Sequence, residues 1–315
     1  MSKFGLWWIN WDESLGVYES RMKLGGREPA SYYEVVQWFK DRGFDRVVFL
    51  GGEGRRINYT GDGYEDGRYL ALWIMSHIDS IQYYITIPFY YGDGELRDDP
   101  SRGFTNSYWK KWIDGVLSVF DSNRLGFYWS YESCLQTTSH DEAHVTEEFI
   151  REMSDYIHNH GQELIWIPTI GDRTMEYVAN PDYVAIPTLA GYFDHVFVQP
   201  HYYQTTKLSD GSDYTFQELV RRVEWMANNG LSIEMEADNS IIGEKSNCAY
   251  CKSTQNREGC DQTPTLEIEE KCINRACDYY RAIMEVNPSA FSTRAYYFDT
   301  DFEVIDRVRS QCPDW

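Results

Sequence analysis

Residues 231–238 read Leu-Ser-Ile-Glu-Met-Glu-Ala-Asp, and their alternation bears most directly on the fold. Successive side chains on a strand point to opposite faces. Ile233, Met235 and Ala237 form an apolar face, and Glu234, Glu236 and Asp238 form an acidic one. The apolar face has to be packed. If helices cover it from outside, three carboxylates point into the centre of the sheet. Charge is expensive there, and such a cost is ordinarily kept for function. A solvated edge strand would carry the same pattern, but a closed barrel has no free edge.

The rest of the chain supplies the barrel. Strands are expected at Phe4–Asn10, Arg46–Gly51, within Ser80–Tyr91, and at Arg124–Ser130, Glu163–Thr169, His195–Tyr203 and Phe291–Asp299. Helical stretches follow at Tyr32–Arg42, Tyr64–Ile78, Tyr108–Phe120 and Ala143–His160. A shorter helix falls within Thr174–Leu189, and Phe216–Asn229, Ile268–Val286 and Phe302–Arg309 complete the series. Eight strands, each followed by a helix, predict an α/β chain: a single (β/α)8 TIM-type barrel, one catalytic domain over 1–315. An open doubly wound sheet begins with a Gly-rich phosphate loop after its first strand. Here the first strand runs into Asn10-Trp11-Asp12 instead. A long loop at 51–67 follows strand two, and a Cys-containing insert at about 239–264 follows strand seven. Both lie on the side where barrel active sites are built.

A partner for the acidic strand comes from strand four. Arg124-Leu-Gly-Phe-Tyr-Trp-Ser-Tyr-Glu132 places Glu132 where the strand meets its loop. Two carboxyl groups facing one mouth are what glycoside hydrolysis uses, one to protonate the leaving oxygen and one to attack or to activate water. Residues two apart on a strand differ in depth by about 6.6–7 Å. Glu236 is therefore expected near the mouth as the catalytic partner of Glu132, with Glu234 a layer deeper, orienting a neighbour or binding a sugar hydroxyl. Asp238 is expected at or beyond the rim, as the reserve candidate for the catalytic partner. Aromatic and polar residues crowd the same strand ends: Trp8, Asn10, Tyr90, Tyr128, Trp166, Gln199, His201, Tyr202, Tyr297 and Asp299. Sugars need flat faces for their C–H surfaces and polar partners for their hydroxyls.

Four blocks carry a resemblance: LGFYWSYE (125–132), LIWIP (164–168), FDHVFVQPHYY (193–203) and IEMEAD (233–238). Together they resemble a family named only as a domain of unknown function, found in secreted and polysaccharide-associated microbial proteins. The resemblance implies a glycosidase-like (β/α)8 barrel and points to Glu132, Gln199, Tyr202, Glu234, Glu236 and Asp238. The layout is also similar to that of retaining barrel glycoside hydrolases, so retention of anomeric configuration is expected. That clan has Asn before its acid/base residue, and this chain has Tyr131.

Five of the seven cysteines, Cys248, Cys251, Cys260, Cys272 and Cys277, are spaced C-x2-C-x8-C-x11-C-x4-C, while Cys134 and Cys312 stand apart. Two local disulfides or a structural zinc site would each explain the cluster, and free thiols are the third reading. No other cofactor is called for by two-carboxylate chemistry.

Composition narrows the partners. The chain has 315 residues, with 50 acidic and 29 basic side chains and a net charge of −21. Such a field repels nucleic acid and anionic membrane, and it favours a neutral or cationic polysaccharide or oligosaccharide. Aromatics reach 16 %, with 11 Trp and 25 Tyr, a composition suited to stacking on sugars. No apolar run approaches the ~18 residues of a membrane span. The opening MSKFGLWWINW has no apolar core followed by a cleavage site, so no signal peptide is expected in the chain as it stands. Extracellular or surface action follows if a signal has been removed or export takes another route. The leading expectation is a polysaccharide hydrolase. A non-catalytic carbohydrate-binding barrel and a metal-dependent lyase or isomerase using Glu234, Glu236, Asp238 and His201 are the alternatives.

Overall fold

The computed structural model describes residues 2–92, 94–252 and 259–315. Residues 253–258 of the expected insert lie outside the described residues. Eight parallel strands close into a barrel: β1 (Ser2–Asp12), β2 (Arg46–Leu50), β3 (Gln82–Ile87), β4 (Arg124–Trp129), β5 (Glu163–Trp166), β6 (His195–Val198), β7 (Ser232–Glu236) and β8 (Thr293–Tyr297). Each pairs with the next, and β8 returns to β1 through Ser2↔Thr293 and its successors.

The helices are α1 (Tyr32–Asp41), α2 (Gly63–His77), α3 (Tyr108–Leu117), α4 (Glu147–Asn159), α5 (Met175–Val178), α6 (Ile186–Leu189), α7 (Phe216–Asn228), α8 (Leu266–Val286) and α9 (Glu303–Gln311). Seven begin on a side chain that accepts a first-turn N–H: Ser31, Asp62, Ser107, Thr146, Thr174, Thr215 and Thr265. Each such cap contributes about 1 kcal/mol. The single short helix expected within Thr174–Leu189 is two one-turn helices, α5 and α6. No described helix is long and apolar enough to cross a membrane.

Two apolar layers hold the barrel. Outside, the strands pack on the helices. Inside, Phe4, Leu6, Val48, Tyr84, Ile165 and Phe197 fill the lower barrel. Polar side chains take over above them. One feature of the rim is absent from the sequence reading. β1 continues to Asp12 and turns back through an antiparallel strand at Val17–Ser20. The Asp12 carboxylate accepts the N–H groups of Ser14 and Leu15 at 2.8 and 3.0 Å, which closes the turn.

Helices α2 and α3 approach through glycine. A Cβ on Gly115 would lie 1.9 Å from the Tyr64 carbonyl oxygen, and one on Gly67 2.3 Å from that of Trp112. Backbone cannot give way as a flexible side chain can. Gly115→Ala is expected to cost about 3 kcal/mol, measured as a lower denaturant midpoint. An unchanged midpoint would show that the helices can separate freely.

The Cys-rich segment forms disulfides, one of the three arrangements weighed. Cys248 joins Cys272 and Cys251 joins Cys260. Cys277 reaches out of the cluster to Cys312, so Cys312 is not isolated as its spacing suggested. Sequence distance hid this pair because α8 and α9 are neighbours only in the folded barrel. Cys134 is free and buried. Thiol titration of denatured protein should therefore find one thiol without reductant and all seven with it. Five or more thiols before reduction, together with bound zinc, would overturn the pairing.

Candidate active site

The C-terminal ends of the strands surround a cavity of about 260 Å³. Glu132, Gln199, Glu234, Trp8, Tyr297 and Glu53 are among its lining residues. Strand β4 carries Glu132 to the mouth. Its Oε1 accepts the Tyr128 hydroxyl at 2.7 Å, and its Oε2 accepts the Gln199 side-chain N–H at 3.2 Å. Gln199 is held in turn by His201 Nε2 at 3.1 Å. The carboxyl is thus fixed in orientation by strands four and six together. Burial, and then the negative charge of Glu53, raise the Glu132 carboxyl to about 8.

Glu53 comes from the loop after β2, in the run Gly51-Gly-Glu-Gly54. Its φ of 56° lies in the left-handed region, as do those of Gly52 and Gly54 beside it. A non-glycine residue held there is strained, and such strain tends to gather at functional sites. The tight turn has a local cause. The Glu53 carbonyl accepts the Phe89 and Tyr90 N–H groups at 3.0 and 2.9 Å, and a Cβ on Gly54 would strike Pro88 at 2.6 Å. The turn delivers Glu53 Oε1 to the Glu132 backbone N–H at 3.2 Å and Oε2 to Arg55 at 2.7 Å.

Glu234 sits deeper, opposite Ala295 on β8, where a small side chain leaves room for it. It is 2 % exposed. Its Oε2 and the Trp8 Nε1 are both buried without a hydrogen-bond partner among the described residues. One acceptor and one donor are thus left open in the same cavity, as a ligand hydroxyl would require. Burial, then the charges of Glu236 and Glu132, push the Glu234 carboxyl well up.

The domain of unknown function (DUF4855) matches residues 104–264, which run from just before α3 through β7 into the insert. The chain belongs to the DUF4855 family. The uncharacterized protein MJ0957 of Methanocaldococcus jannaschii is 30% identical, over 99% of this chain and 94% of that protein. Among solved structures, the spore cortex-lytic enzyme SleL of Bacillus megaterium QM B1551 is similar, with a TM-score of 0.50 and 8% identity, over 94% of this chain and 70% of that one. A GH18 chitinase from Pseudoalteromonas aurantia aligns over 99% of both chains with a TM-score of 0.48 and 11% identity. In fold, this DUF4855 chain is a closed (β/α)8 barrel like theirs.

The DUF4855 match includes Glu132, Gln199, His201, Glu234, Glu236 and Asp238, but not Glu53. The structure treats these residues differently. Glu236 was expected beside Glu132. It is 0 % exposed and does not line the cavity. It accepts the Tyr279 hydroxyl from α8 and the His201 N–H, the latter at 3.2 Å. Burial raises it to about 7 against those donors. Asp238 accepts the Tyr203 hydroxyl at 2.9 Å and the N–H groups of Ser240 and Asn247, so it anchors the insert. Asp299 accepts Ser246 Oγ at 2.9 Å and is raised to about 6 by burial and by Asp238.

Among the aromatic candidates, Trp8 and Tyr297 line the central cavity, and Tyr90 lines the adjoining one of about 440 Å³. Tyr128 serves through its hydroxyl on Glu132. Asn10 lines a third cavity beside them. Two expectations fail. Trp166 is fully buried on the outer side of β5, stacked on Phe193 at 5.3 Å. Tyr202 is buried against Arg275, and its hydroxyl goes to Asp278 at 3.0 Å. Each sits at a strand end by sequence, but faces the helices. Of the residues proposed as metal ligands, His201 Nε2 lies 3.9 Å from Glu236 Oε1, Glu234 lines the cavity and Asp238 is committed to the insert. Among the described residues no group of three or more His, Cys, Asp or Glu gathers as a metal site would need.

Proposed function

We propose that this protein is a glycoside hydrolase acting on a polysaccharide, with Glu132 as general acid and Glu53 as the carboxyl group that works with it. The observation that carries the reading is the contrast between these two groups in one cavity. Glu132 is raised to about 8 and so holds a proton at neutral pH. Glu53 is ion-paired with Arg55. A carboxyl held protonated beside a second carboxyl group in one cavity is the pairing that glycoside hydrolysis uses.

In this mechanism Glu132, oriented by Tyr128 and Gln199, gives its proton to the glycosidic oxygen as the bond to the anomeric carbon breaks. Glu53 stabilises the positive charge that develops there, and either attacks the carbon or activates water. Glu234 and Trp8 Nε1 hold sugar hydroxyls deeper in the cavity. Glu236 acts at a distance by fixing the His201 backbone. This departs from the pairing of Glu132 with Glu236, because Glu236 is turned away from the cavity.

The test is a screen of purified protein against a panel of polysaccharides, with Glu132→Gln as control. The anomeric form of the first product, read by NMR, separates the roles of Glu53. Retention means attack, and inversion means activation of water. Absence of any new reducing ends across the panel, or equal activity in Glu132→Gln, would overturn the proposal.

A further inference from the structure

The third cavity, about 320 Å³, adjoins the catalytic one, and Arg55 borders both. Its composition is unlike that of the molecule. Arg55 and Arg56 line it, against one lining carboxylate among the described residues, Glu13. The whole chain has 50 acidic residues to 29 basic. Arg55 is already paired with Glu53. Arg56 is not so occupied. Its guanidinium donates to Asn10 Oδ1 at 3.4 Å, and no carboxylate of the described residues lies within ion-pair distance of it. Arg56 is exposed at this cavity, and its charged neighbour Arg21 is a cation too.

The remaining wall is largely aromatic. Tyr59 and Tyr91 stack with centroids 4.2 Å apart and planes 18° apart, and Trp11 stands nearby on the rim hairpin. Flat aromatic surface suits the C–H face of a sugar. A planar guanidinium suits a carboxylate, which it can grip with two parallel hydrogen bonds.

We propose that this cavity is a subsite for an acidic sugar unit, whose carboxylate is taken by Arg56 with Arg55 behind it while the ring lies against the tyrosines. The proposal rests on the hydrolase reading above and names its substrate class: a polysaccharide carrying carboxylates next to the bond that is cut. The net charge of −21 argued for a neutral or cationic substrate. At contact distance local charges outweigh a global field that salt screens within about 10 Å.

A polyuronate and its carboxyl-reduced counterpart are compared as substrates. The acidic polymer should be cut at least about 10-fold more efficiently, with the gap narrowing as salt rises. Arg56→Gln should reduce this preference about 10-fold. Arg151→Gln, which removes the same charge from α4, should leave it intact. Equal cleavage of the two polymers, or a preference unaffected by Arg56→Gln, would overturn the subsite. A sulfated neutral polymer that is preferred equally would overturn the carboxylate assignment. Calorimetry with an oligouronide provides a separate arm. Binding to Glu132→Gln protein should weaken about 10-fold when Arg56→Gln is added. If no polymer is cleaved, the hydrolase reading fails, and this binding measurement still decides the subsite.

Discussion

Glu132→Gln should lower kcat by about 10³-fold and leave oligosaccharide binding within a few-fold of the parent protein. The amide keeps the shape of the carboxyl and can still meet the Tyr128 hydroxyl. It has no proton to give to a leaving oxygen. Loss of kcat with binding retained is the signature of an interaction made in the transition state. The pH profile should carry the same residue. The general acid works protonated, so the rate should fall as pH rises through the Glu132 value of about 8. Burial and the Glu53 charge set that value, and removal of the Glu53 charge should therefore move the falling limb to lower pH. A limb that stays in place in Glu53→Gln would show that another group controls it. Calorimetry and steady-state rates on one preparation distinguish lost catalysis from lost folding.

The second large effect should come from Glu53→Gly. At φ 56° glycine is more comfortable than glutamate, so the backbone turn should survive the change. The carboxylate is lost, and kcat should fall by about 10²–10³-fold. Azide is a small anion that can enter the vacated space, and it should restore a substantial part of the rate. Rescue requires that the missing group acted at the reacting carbon or on its water, and a purely structural glutamate would not be rescued. Glu236→Gln should behave differently and keep most of its activity, because its carboxyl is turned to Tyr279 and His201. A dead Glu236 variant beside an active Glu53 variant would reverse the assignment and return the pair to strands four and seven.

Much of the fold follows from local rules. Apolar runs of strand length alternate with amphipathic stretches of helical length, and Ser, Thr or Asp stands at seven helix starts. The inward acidic face of strand seven was equally legible, because alternation along a strand is covalent geometry. Glu132 followed from its position at a strand end. What failed was the step from strand end to cavity. Trp166 and Tyr202 have the residue types of a sugar site, yet each faces the helices, because one position along a strand exchanges inside for outside. Glu53 was missed because the loop after strand two has no period. Its only signal was a lone charged residue among three glycines, in a segment read simply as long.

The sequence by itself determined the eight-fold strand and helix series, the acidic interior and the candidate acid on strand four. These depend on spacing and side-chain type, which are local. The tertiary structure alone decided which carboxyl faces Glu132, where the Cys277 bridge ends and where two arginines gather beside the cleft. Each of these brings together residues far apart in the chain. Glu53 and Glu132 meet because the turn after β2 is pinned to the backbone after β3, while Glu236 is drawn aside by a hydroxyl from α8. Such meetings depend on how closed strands and their loops pack against one another, and no periodicity in the chain encodes them.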